Sequence, residues 1–79
     1  MYRQTIVLNT LEQAKQFVHV CTAQEFNIEL IAGDKVVHAK SIIGVLSMEL
    51  GQPLVVSVEK EDLTAVEAFA EKLKPFIAD

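Results

Sequence analysis

The chain has 79 residues, a net charge of −4, 51% hydrophobic residues and 6% aromatics. This length supports one domain (1–79), near the lower limit at which a single core suffices without disulfides or metal, and the hydrophobic share excludes a disordered or collagen-like chain. The acidic balance excludes nucleic acid as the main partner, because neutralising phosphates needs a basic face.

A lone cysteine rules out an intrachain disulfide framework and makes the cytoplasm the simplest location. Cys21 falls on the apolar side of a predicted helix and reads as packing rather than as a reactive thiol. No apolar run approaches the roughly 18 residues of a membrane span, and no signal peptide precedes the first strand.

Residues 2–8 (YRQTIVL) alternate and are β-branched, which predicts a strand. Asn9 and Thr10 are cap-type residues before a helix over 11–24, whose apolar residues Leu11, Ala14, Phe17, Val18 and Cys21 recur at steps of three and four. Two short strands, 27–32 and 35–40, flank Gly33-Asp34, a hairpin turn whose glycine can take positive φ. A short helix spans Ser41 to Met48, opened by a serine N-cap and ended by Gly51 and Pro53. A fourth strand covers 53–59. The chain closes with a helix carrying Leu63, Val66, Phe69, Ala70, Leu73 and Ile77 on one face, with Asp62 as N-cap and Pro75 kinking or fraying the last turn.

The order β-α-β-β-α-β-α describes an α+β open-faced sandwich: a four-stranded, mainly antiparallel sheet with three helices on one face. Ile6, Leu8, Ile28, Leu30, Val37, Ala39, Leu54, Val56 and Val58 are expected to point inward. Val7, Ile31, Val36 and Val55 then point outward, among Thr5, Glu29, His38 and Ser57. An uncovered antiparallel face normally alternates to polar residues, so these aliphatics suggest a weak homodimer through the open face.

Residues 40–48, KSIIGVLSM, carry a resemblance. They are similar to the central segment of the HPr family, the histidine-containing phosphocarriers of bacterial sugar phosphotransferase systems, which typically reads K-S-I-M-G-V-M-S-L. Lys40, Ser41, Ile42, Gly44, Val45 and Ser47 match, and Ile43, Leu46 and Met48 are conservative exchanges. The element order agrees along the whole chain, and the resemblance implies the same open-faced sandwich.

The chain departs from the family's other signature, G-[LI]-H-A-R-P-A at the start of the first helix. In the family the His is phosphorylated, the Arg stabilises the phosphate, and helix amides receive its charge. Here the stretch reads NTLEQAKQF. Counting back from Phe26 without a gap puts Glu12 at the His position, Ala14 at the Arg position and His19 at a usually buried aliphatic. A shift of two puts Thr10 at the His position and Glu12 at the Arg position. Both ligands are missing in either register, so Thr10, Glu12 and Ala14 mark a degenerate active-site region and no catalytic residue is assigned. Glu12 either mimics the charge of a phosphorylated His or is a solvated first-turn residue that suits the helix dipole. His19 and His38 are surface histidines or, for His19 above all, an alternative phosphate acceptor. Two scattered histidines make no metal site, and nothing points to a cofactor.

Ser41 is either the N-cap alone or, as the resemblance to the low-GC Gram-positive branch implies, a site of regulatory phosphorylation. A phosphate at a helix N-terminus meets backbone amides and the positive dipole end, with Lys40 adding a modest attraction. Ile42 and Leu46 are expected to be exposed, and Ile43 and Val45 to be split between core and rim. Lys40, Ile42, Ile43 and Leu46 are therefore candidate docking residues for a protein partner. Three functions follow: a non-catalytic HPr-like regulatory or interaction protein, a phosphocarrier with an unconventional acceptor, or a small dimeric scaffold related only in fold. No nucleic-acid or membrane partner is expected.

Overall fold

The computed structural model describes residues 2–59 and 63–77. Strand β1 (Tyr2–Val7) leads into helix α1 (Leu11–Thr22), followed by the hairpin β2 (Glu29–Ala32) and β3 (Lys35–His38). Helix α2 (Ile42–Leu46), strand β4 (Pro53–Val58), helix α3 (Leu63–Leu73) and a 3-10 turn (Lys74–Phe76) complete the order. The strands form one sheet in the order β1-β4-β2-β3, with all three pairings antiparallel. The expected β-α-β-β-α-β-α sandwich is the observed one.

Local chemistry accounts for the element ends. The Thr10 hydroxyl accepts the Gln13 N–H at 3.1 Å, and the Gln13 side chain accepts the Asn9 N–H at 2.8 Å. This reciprocal arrangement is close to a capping box and sets the start of α1. Gly33 takes φ +63° at the first of the two hairpin positions, where a type II′ turn calls for glycine. Gly51, at φ +83°, donates its N–H to the Leu8 carbonyl at 2.9 Å and so ties the segment before β4 to the end of β1.

Period-two alternation puts one sheet face into the core. Ile6, Leu8, Ile28, Leu30, Ala39, Leu54, Val56 and Val58 are buried, and Val37 is half-buried. The helical layer covers them with Ala14, Phe17 and Cys21 from α1, Val45 from α2, and Val66, Phe69 and Leu73 from α3. Two edge-to-face ring pairs join distant segments: Phe17 with Phe76 at 5.8 Å, and Phe26 with Phe69 at 5.7 Å. Such pairs contribute about 0.5–1.5 kcal/mol each beyond the area they bury.

Some expectations are corrected. Leu11 fits the spacing of the α1 stripe but is 51% exposed. It opens the helix beside Asn9, Thr10 and Glu12, which are all exposed, and the core contact begins only at Ala14. Helix α1 stops at Thr22, where the Ala23 and Gln24 amides bond back to His19 and Cys21 carbonyls. The last helix does not run through Pro75: it ends at Leu73 and tightens into a 3-10 turn that includes the proline. Ile77 then bridges to Ile6. Asp62, expected as the N-cap of α3, and the side chain of Leu63 lie outside the described residues.

Cys21 is fully buried, and burial pushes its thiol from the ordinary value of 9.0 up to about 12, against a lowering by the nearby Lys40 charge. The folded state therefore holds the neutral thiol, while the unfolded chain releases its proton near pH 9. The unfolded state binds fewer protons in that window, so stability should fall as pH rises from about 9 towards 12. Denaturant titrations should show a shallower decline for Cys21→Ala than for the parent. A thiol reagent at neutral pH should modify the native protein only as fast as it opens.

Candidate docking site on the short helix

Helix α2 is held on three sides. At its start the Ser41 hydroxyl accepts the Gly44 N–H at 3.1 Å, and the Ser41 carbonyl accepts the Val45 N–H at 2.9 Å. The Ser41 amide donates to the His38 carbonyl at 3.1 Å, which fixes the helix directly after β3. At its end the Ser47 hydroxyl donates to the Gly44 carbonyl, and the Lys35 ammonium donates to the Ser47 carbonyl at 3.0 Å. A cation there suits the negative end of the helix. On the underside, a Cβ built on Gly44 would lie 3.2 Å from the Val37 Cβ. Glycine thus permits the close approach of α2 to β3.

The phase set by these contacts decides which aliphatics face solvent. Val45 is 1% exposed and, with Met48, belongs to the core. Ile42 and Leu46 are exposed as expected. Ile43 corrects the expectation of a residue at the rim: it is 81% exposed, the largest value among the exposed large apolar residues. Leu50 and Leu11 are also open to solvent. Neither stood out in the sequence as a surface residue; Leu50 sits in a short run just before Gly51, whose tie to Leu8 carries it back towards the start of α1.

Lys40 is half-buried, and its ammonium donates to the Gln24 carbonyl at 2.7 Å. Its charge is thereby committed to the segment after α1, beside Cys21, rather than left free next to Ser41.

The start of α1 is a second cluster singled out by sequence. Thr10 and Glu12 are exposed, and Thr10 spends its hydroxyl on the Gln13 amide. Ala14 is fully buried, with its N–H on the Thr10 carbonyl at 3.1 Å. His19 is exposed in the last turn of α1, and His38 is exposed on the far face of the sheet. The structure does not bring the two histidines together. No group of three His, Cys, Asp or Glu side chains suited to a metal exists among the described residues, and no helix is long and apolar enough to cross a membrane.

Comparison with known proteins agrees with this geometry. No curated protein sequence matches the chain. Among solved structures, it is similar to HPr-C-His from Thermoanaerobacter tengcongensis at 26% identity, with 94% of this chain and 92% of that one covered and a TM-score of 0.73. The phosphocarrier protein HPr from Bacillus anthracis str. Ames shares 24% identity over 90% of this chain and 94% of its own, at a TM-score of 0.67. A histidine-containing phosphocarrier protein of Mycoplasma shares the fold, at 17% identity, 99% and 100% coverage and a TM-score of 0.72. The family model PTS-HPr, described as "PTS HPr component phosphorylation site", matches residues 11–79. With its fold, its Ser41-capped helix and this match over most of its length, the chain belongs to the HPr family.

Proposed function

We propose that this HPr-family chain is a non-catalytic regulatory or interaction protein of the sugar phosphotransferase system, acting in the cytoplasm and binding a protein partner through α2. The observation that carries this reading is the outward projection of Ile42, Ile43 and Leu46 from a helix that gives only Val45 to the core. Clustered exposed aliphatics of this kind suit a protein contact. Leu50 and Leu11 are further exposed apolar side chains, and Lys40 anchors the segment before Ser41.

The start of α1 supports the non-catalytic part of the reading. A buried Ala14 and an exposed His19 fit poorly with the gapless register, which would give Ala14 a phosphate ligand's place and His19 a core place. The register shifted by two puts Thr10 at the family's His position, where it is the N-cap, and Glu12 at the Arg position. A phosphothreonine is too inert for a reversible carrier, and Glu12 adds negative charge where the family's site needs a cation. Phosphate carriage on His19 is the weaker alternative. That residue lies in the last turn of α1, where the negative end of the dipole opposes a phosphoryl group.

Ser41 is the place at which this surface could be regulated. A phosphate on its hydroxyl would sit at the positive end of α2, beside the Gly44 amide it now accepts. A weak homodimer through the open sheet face would leave this surface free, since the helices lie on the other side of the sheet.

One incubation and four substitutions test the reading. Incubation with phosphoenolpyruvate and the family's upstream enzyme should leave the intact mass unchanged; an added phosphoryl group that is lost in acid would overturn the non-catalytic assignment. Ser41→Ala should cost about 1 kcal/mol of stability through loss of the cap, whereas Ser41→Asp should retain it by keeping an acceptor and adding charge at the positive helix end. Ile43→Glu should leave the thermal melt within about 0.5 kcal/mol of the parent, as exposed substitutions do, while weakening partner binding at least tenfold. Val45→Glu should instead unfold the domain, because it buries an unpaired carboxylate.

A further inference from the structure

The sheet face opposite the helices carries its own pattern, independent of the docking reading of α2. The strand registers align one polar row across it, Arg3–Ser57–Glu29–His38, and beside it an apolar row, Thr5–Val55–Ile31–Val36. Val36 is 52% exposed, and Ile31 and Val55 are half-buried although no described element covers them. Around the polar row Asn27, Glu29, His38, Ser57 and Glu59 line a shallow depression of about 180 Å³.

Two features of this row bear on what could cover it. Ser57 is the one buried polar residue in the described core, 4% exposed; its hydroxyl bonds to no described residue and keeps its access to solvent. It opens into the depression instead. The charges flanking Ser57 are also unpaired among the described residues, where the ion pair is Glu71–Lys74: Arg3 lies on the β1 side and Glu29 on the β2 side, each without an opposite charge. A cation on one side of the hydroxyl and a carboxylate on the other make that row complementary to itself.

We propose that a second copy of this chain covers the open face, with the two-fold axis running along β4. That axis lays β1 of one protomer over β2 of its partner. Each Arg3 then meets the opposite protomer's Glu29, while Glu59, one residue beyond β4, lies opposite its own counterpart at the end of the contact. Ser57 lies opposite its own counterpart, in a gap wide enough for a bridging water. Val55 packs on Val55 and Thr5 on Ile31, and the interface becomes an isologous sheet-on-sheet contact about 10 Å deep. The axis is selected by charge: placed between β4 and β2, it would set Arg3 against His38 and leave Glu29 without a cation opposite.

Sedimentation equilibrium over a concentration series tests the pairing, with circular dichroism to confirm folding. The parent should show a reversible monomer–dimer equilibrium that weakens with added salt. Arg3→Glu and Glu29→Arg should each weaken it at least tenfold, and the double charge exchange should restore it to within threefold of the parent. Both single variants place exposed or half-buried side chains on the surface, so one of them suffices if the other misfolds. Ile43→Glu, on the helical side, should leave the dimer unchanged. A parent that stays monomeric at millimolar concentration overturns the proposal, as does a dimer that ignores both charge reversals or is lost in Ile43→Glu.

Discussion

The proposed docking surface follows from how little of α2 can reach the core. Five residues make less than one and a half turns, so one side chain, Val45, meets the sheet squarely. Gly44 removes the side chain that would otherwise hold the helix off β3, with Val37 only 3.2 Å from where its Cβ would stand. The cap at Ser41 and the lysine at Ser47 then lock the phase. Every other aliphatic of the helix is turned to water by that geometry. The fold requires the exposure; it does not require the exposed residues to be isoleucine and leucine. Exposed apolar groups at these positions do nothing for the core, and the proposed contact with a partner rests on their exposure.

The same sheet separates two surfaces. On the helical side, α2 presents apolar side chains above a well-satisfied backbone. On the other side, a polar row with uncompensated charges flanks half-buried valine and isoleucine. Both can be occupied at once because the sheet lies between them, so association of the chain with itself need not compete with a partner on α2. The first turn of α1 contributes differently. There the Thr10 and Gln13 side chains accept the Gln13 and Asn9 backbone N–H groups, which stabilises the helix end that the family uses for phosphate.

Much of this architecture was legible in the residues. The strands alternate because one face is buried, and Gly33-Asp34 announces its turn through the positive φ that glycine tolerates. Ser41 and Gly51 bracket the short helix as cap and terminator. What escaped has specific causes. The α1 spacing includes Leu11 but cannot show where the helix begins to overlie the sheet. A run as apolar as IIGVL lacks a polar face to set its phase, so Ile43 and Val45 could not be told apart until Gly44 was seen against Val37. Ser57 reads as an outward strand residue, which it is, yet β4 lies between β1 and β2, and its neighbours close over it. The Lys40 contact with Gln24 spans 16 residues of chain, beyond any local pattern.

The account rests on α2 being the face that meets a protein partner. Backbone amide shifts of the isotopically labelled chain, followed by NMR as the family's upstream phosphotransferase enzyme is added, address this most directly. Changes concentrated on Ser41–Ser47, extending to Leu50 and Leu11, are the result predicted here. Changes confined to the open sheet face around Ser57 and Val55, or to α3, with α2 unaffected, would contradict it.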